Sequence, residues 1–242
     1  MRRVGAALAI VLALVVAARA AAPVEVGRFE PGSEPGAPPT GWEALTFQKT
    51  PKHTRYTLVR EGEEWVIRAE SEAAASGLYR PLDLDARVYR VLTWRWKVEH
   101  VLAAADARRR EGDDYAARVY VAFRYEPDTA TLWERARYGA FRLLYGRYPP
   151  KVALNYVWDN RLPPGTVLDN AYTDRAKMIV VRSGAADAGR WVSESRDVYA
   201  DYRTIVGDEP PRIAGVALMT DTDDTGERAV AWYGAITFRA AE

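Results

Sequence analysis

Beyond the first fifty residues, apolar and polar side chains mostly alternate with a period of two. Trp65, Ile67 and Ala69 alternate with Val66 and Arg68, and Leu92, Trp94, Trp96 and Val98 alternate with Val91, Thr93, Arg95 and Lys97. The clearest run sets Ala117, Val119, Val121, Phe123 and Tyr125 against Arg118, Tyr120, Ala122 and Arg124. On extended chain successive side chains point to opposite faces, so this pattern predicts strands with one face on a core. Similar stretches predict strands over 24–29, 152–158, 177–182, 190–194, 212–219 and 229–238. SGAADAG, residues 183–189, reads as the loop of a hairpin between two of them.

Two stretches change period. Asp128 can cap a helix that carries Leu132, Ala136, Ala140, Leu143 and Leu144 at helical spacing. A shorter helix is predicted over 198–206, stopping before Gly207. Residues 31–42, PGSEPGAPPTGW, read as a loop near the N-terminus. Many strands, few helices and no alternation of strand with helix predict a mainly β fold. The expected architecture is an antiparallel β-sandwich, in the style of a jelly roll or a carbohydrate-binding module, with one or two short helical insertions.

The beginning of the chain reads differently. Met1, Arg2 and Arg3 precede the uncharged apolar run VGAALAIVLALVVA, and Ala18-Arg19-Ala20 supplies small residues on either side of an arginine. This is the layout of a secretory signal peptide cleaved between Ala20 and Ala21. The run is shorter than the roughly 20 apolar residues that span a bilayer, so a retained anchor is the weaker reading. The expected organisation is therefore a signal peptide over 1–20 and one β-sandwich domain over 21–242, periplasmic or secreted, with no membrane association after cleavage.

The chain has no cysteine, which excludes thiol catalysis and thiolate metal sites and leaves its stability to burial. The net charge is +1, and it turns slightly negative once Arg2, Arg3 and Arg19 are removed. Such a balance predicts no nucleic-acid partner.

The most acidic string is MTDTDDTG, with Asp221, Asp223 and Asp224. It matches the D-x-D-x-T of aspartyl-phosphate phosphatases, but such enzymes need a further domain with a lysine, and no lysine follows Lys177. An EF-hand is excluded because its twelfth position, normally a bidentate Glu, is Trp232. Two readings stay open: an Asp/Thr/Gly turn, and a Ca²⁺ site of another kind using Asp221, Asp223 or Asp224. No other cofactor is implied.

EGDDYAARVY leads Asp113 and Asp114 into a strand whose polar face carries Arg118, Tyr120 and Arg124. That face suits a polar ligand, and it equally suits plain solvation. In LNYVWDNRLPPGTVLDNAY, Trp158 is expected on a buried face with Asn155 and Asp159 opposite, while Asn170 and Tyr172 fall in a loop. In WVSESRD, Glu194 stands near Arg196 and follows Arg182, which suggests an ion pair. Paired across a cleft with Asp113 or Asp114, Glu194 would instead serve acid/base chemistry on a glycan. His53 and His100 belong to no ligand or triad pattern.

EGDDYAARVYVAF, LNYVWDN, AKMIVVRSG with GRW, ESRDVYADY and GVALMTDTDDTG together resemble the DUF3047 family of bacterial exported proteins. The resemblance implies an envelope protein and draws attention to Asp113, Asp114, Arg118, Trp158, Asn170, Arg182, Arg196, Asp197, Asp221, Asp223 and Thr225. It implies no activity. A fainter similarity, through Phe29 and the Pro-Pro-Thr-Gly-Trp string ending at Trp42, is to β-sandwich carbohydrate-binding modules. The expectation is a non-catalytic periplasmic binding or accessory domain for a polar small molecule or glycan. Its contacts would come from Asp113, Asp114, Arg118, Trp158, Asn170, Arg182, Glu194 and Arg196. A glycan hydrolase or lyase and a structural or partner-binding envelope protein are the alternatives.

Overall fold

The computed structural model describes residues 21–30, 37–128 and 149–241, so the expected signal peptide and the helix expected after Asp128 lie outside the described residues. Two sheets face each other. The six-stranded sheet runs β11(Val192–Asp197), β6(Val91–Val98), β13(Arg228–Arg239), β4(Glu64–Glu72), β3(Arg55–Glu61), with β1(Val24–Glu25) also on β13. The seven-stranded sheet runs β2(Glu43–Leu45), β5(Ala75–Leu84), β12(Ile213–Asp221), β7(Arg118–Phe123), β8(Val152–Asp159), β10(Thr173–Ser183), β9(Val167–Asn170). The fold is the expected mainly β sandwich.

The alternation decides what fills it. Leu92, Trp94, Trp96 and Val98 of β6 and Val119, Val121 and Phe123 of β7 are all buried in one core that joins both sheets. Trp94 packs on Tyr156 of β8 with centroids 5.2 Å apart, and Trp96 packs on Trp158 at 5.9 Å. Aromatic residues bury the largest areas, so these cross-sheet pairs contribute most per residue.

Three local expectations change. Residues 183–191 do not close a hairpin: β10 lies in one sheet, while β11 pairs with β6 in the other. The connection crosses between sheets, with Gly184 and Gly189 at φ 71° and 77°, and Gly189 N–H donates to Val98 O at 2.8 Å. One pair is parallel, β8 with β10, because the chain reverses twice: β9 forms outside and β10 returns between it and β8. Asn170 ends β9 rather than sitting in a loop.

Strand β5 was hidden by Pro81, which breaks the sequence pattern. β2 covers only Gly77 to Tyr79 of β5, so at Pro81 the strand has an open side and lacks no ladder donor.

Candidate functional site

The outer face of the seven-stranded sheet has two halves with different fates. In one half, the loop 99–117 folds over the sheet and buries a second small core of Ala107, Tyr115, Val157, Leu162, Met178 and Val180. Arg118, on the same face as Tyr120, is trapped beneath that loop and is only 3% exposed.

Its charge is answered on the spot. Arg118 Nε donates to Asp221 Oδ1 at 2.8 Å, and Nη2 also pairs with Asp221 Oδ2. Nη2 donates to the Asp113 carbonyl at 3.1 Å, and Nη1 lies 3.8 Å from Asp113 Oδ1. Asn170 Nδ2 donates to Asp113 Oδ2 at 2.5 Å. Burial pushes the Asp113 carboxyl above its ordinary pKa, against the pull of Arg118 and Asn170. Arg118 and Asp113 are thus inside the protein, not on a ligand-facing strand surface.

The acidic turn sits beside this cluster. Asp114, 1% exposed, accepts from the backbone N–H of Thr225 at 2.6 Å and of Asp224 at 3.3 Å. Asp224 Oδ1 accepts from Tyr172 Oη at 2.6 Å, and Asp223 Oδ2 from Thr50 Oγ1 at 3.3 Å. Carboxylate oxygens of Asp114, Asp223 and Asp224 lie within 4.8 Å of one another. Burial raises the Asp224 pKa, and the neighbouring Asp114 and Asp223 add to the rise. The acidic set therefore differs from the one the sequence suggests: Asp221 is committed to Arg118, and Asp114, a hundred residues earlier, takes its place. Asp114 thus reaches the turn from outside it and caps the N–H groups of Asp224 and Thr225.

Trp158, Arg182, Glu194 and Arg196 gather elsewhere, where the two sheets close on each other. Arg182 Nε donates to Glu194 Oε1 at 3.0 Å, and Arg182 Nη1 to Asp187 Oδ2 at 3.0 Å. Trp96 Nε1 adds a long bond to Glu194 at 3.4 Å, and burial raises the Glu194 pKa against the Arg182 contacts. Arg196 pairs with Asp201, whose Oδ2 also accepts from Tyr156 Oη at 2.9 Å. Trp158, 1% exposed, donates its Nε1–H to Gly184 O at 3.0 Å. Asp113 and Asp114 are held by Arg118, Asn170 and the backbone of the acidic turn, while Glu194 is held by Arg182 and Trp96. The ion pair of Glu194 with Arg182 is the reading the geometry supports.

The other half of the outer face is a groove of about 700 Å³. Cross-strand register shows how it arises: Ala217 of β12 faces Tyr120 of β7, and Ala122 of β7 faces Ala153 of β8. Small side chains leave the floor low. Tyr79, Tyr120, Phe47, Met219, Pro149 and Pro150 also line the groove, with Glu43 and Arg124 among its charged lining residues. Gly215 keeps Tyr79 down: a Cβ there would lie 2.4 to 2.5 Å from Tyr79 Oη, Cζ and Cε2. Near-equal distances to three non-collinear ring atoms place that point over the plane of the ring, so Tyr79 lies across β12. Its hydroxyl donates to Ala214 O at 2.8 Å. Except for Tyr120 and Arg124, sequence reasoning missed this groove; the only signal was the small residues on the outward positions of neighbouring strands.

Two facing sheets, a groove across the outer side of one and charged residues that satisfy each other inside define a β-sandwich module. The chain belongs to the family described as protein of unknown function DUF3047, whose model matches residues 40–237. No curated protein matches it. Among solved structures it is similar to the family 11 carbohydrate-binding module of the cellulosomal cellulase Lic26A-Cel5E of Clostridium thermocellum. The identity is 9%, covering 92% of this chain and 97% of that one, with a TM-score of 0.45. It is also similar to a family 29 carbohydrate-binding module, at 10% identity, 90% of each chain and a TM-score of 0.38.

Proposed function

We propose that this chain is an exported, non-catalytic module that binds a saccharide in the groove on the outer face of the seven-stranded sheet. The observation that carries this reading is the groove itself: a low floor of alanines between aromatic and proline side chains, with Glu43 and Arg124 among its lining. Sugar rings present apolar C–H faces that pack on such surfaces, and hydroxyls that hydrogen-bond to charged side chains. The basic start, the apolar run and Ala18-Arg19-Ala20 support export into a bacterial periplasm.

The test uses mature protein recovered from the periplasmic fraction, which is expected to begin at Ala21. Calorimetric titration against a panel of oligosaccharides should find a ligand. Tyr120→Ala, which removes a wall, and Ala153→Phe, which fills the floor, should each weaken it by roughly tenfold or more, about 1.4 kcal/mol. Wild-type affinity in both variants, or no binding by the unaltered protein, would refute the groove as the site.

A further inference from the structure

The six-stranded sheet ends in a second cavity, built by different residues. The N-terminal segment crosses the end of β13, where Val26 and Gly27 both donate backbone N–H to Ile236 O at 2.9 and 3.0 Å. Gly27 makes the crossing tight, since a Cβ there would stand 2.9 Å from Ile236 Cβ. The register of β13 is irregular between Tyr233 and Ile236 at the same place. Together with the turn joining β3 to β4, these features enclose about 600 Å³.

Trp65 is the unusual member. The alternation puts it on the core side with Ile67 and Ala69, and its register partner is Arg60, one step from the turn residues. The core does not extend that far, and Trp65 is left 37% exposed, lining the cavity beside the buried Phe29 and Ile236. Tryptophan is usually more deeply buried than this, and an indole beside a polar rim is suited to a partner that is apolar on one side only. The rim is polar: Glu25, Glu30 and Glu63 line it. Arg28 reaches Glu25 and Glu30 only at 3.6 and 4.0 Å, both widely exposed. Arg60 lies over the Trp65 ring at 5.5 Å and spends one of its donors on the Glu63 backbone carbonyl.

We propose that this cavity is a second saccharide site, taking one neutral hexose unit with its C–H face on Trp65 and its hydroxyls on the carboxylates of Glu63 and Glu25. Carboxylates accept from hydroxyl donors and repel an anionic ligand, so uronic acids and phosphorylated sugars are disfavoured. The proposal rests on the saccharide reading above, but it shares no residue with the groove.

That separation makes the two ideas independently testable. Full mature protein is titrated with cellohexaose and mannohexaose, and with hexagalacturonate as the anionic control. One of the neutral ligands is expected to bind with a second equivalent that Trp65→Ala loses and Tyr120→Ala keeps. Glu63→Gln should weaken that equivalent several-fold, and hexagalacturonate should not occupy it. Trp65→Phe, which keeps a ring, should retain part of the binding, so that loss in Trp65→Ala is not a folding defect. Unchanged stoichiometry and affinity in Trp65→Ala would overturn the second site while leaving the groove. Loss of all binding in Trp65→Ala but none in Tyr120→Ala would support this site and overturn the groove. Absence of any binding by the unaltered protein would overturn both.

Discussion

Arg118 is held between Asp221 and Asp113 under a loop, with the Tyr115 ring 4.8 Å from its guanidinium carbon. A charge removed from water needs its partners at close range, and breaking one side of such a pair strands the other. Arg118→Met is therefore expected to cost about 3–5 kcal/mol, read from urea unfolding, because Asp221 and Asp113 stay buried without their cation. The double change Arg118→Met with Asp221→Leu should recover much of that loss. The acidic turn works the opposite way. The Asp224 carboxyl titrates above its ordinary value, chiefly through burial and then through Asp114 and Asp223. A carboxylate with a raised folded pKa binds protons more readily folded than unfolded, so its stability contribution falls as pH rises through the folded pKa. Asp224→Asn should therefore stabilise the protein at about pH 7 and change nothing well below the ordinary carboxylate range near pH 4. Equal urea midpoints at both pH values would contradict the repulsion.

The helix α1(Val198–Val206) is the element in which local chemistry was most readable. Asp197 accepts from Ala200 N–H at 2.8 Å as its N-cap, and Gly207 closes it at φ 80°. The end before Gly207 was visible in the chain because caps act within four residues, whereas Asp197 drew attention only through the family resemblance. Asp197 also takes Arg90 Nη2 at 2.7 Å, so Asp197→Ala should lose about 1–2 kcal/mol, measured by thermal or urea unfolding. Strand pairing was far less legible. β11 alternates like a hairpin partner of β10, yet its side chains Val192, Glu194 and Arg196 register against Trp96, Trp94 and Leu92 of the opposite sheet. Period two tells which residues share a face and says nothing about which strand lies alongside.

Across the sandwich, the core could be read from the chain and the groove could not. Leu92, Trp94, Trp96, Val119, Val121 and Phe123 announce themselves by alternation, and they are buried as expected because apolar area must leave water somewhere. The groove draws Phe47, Tyr79, Tyr120, Ala153 and Met219 from separate parts of the chain, and none is distinctive in its own neighbourhood. Arg118, Asp114 and Trp158 stood out in the sequence as ligand contacts, yet they are interior residues serving the fold. Two-residue alternation, the Gly207 end of α1 and the mainly β class came from the chain itself, since they depend on contacts between near neighbours. Which face was roofed by the loop 99–117, which carboxylate joined Asp223 and Asp224, and where two cavities opened were settled only when distant strands met. Burial, not residue type, then determined whether a charged side chain faced solvent or another side chain.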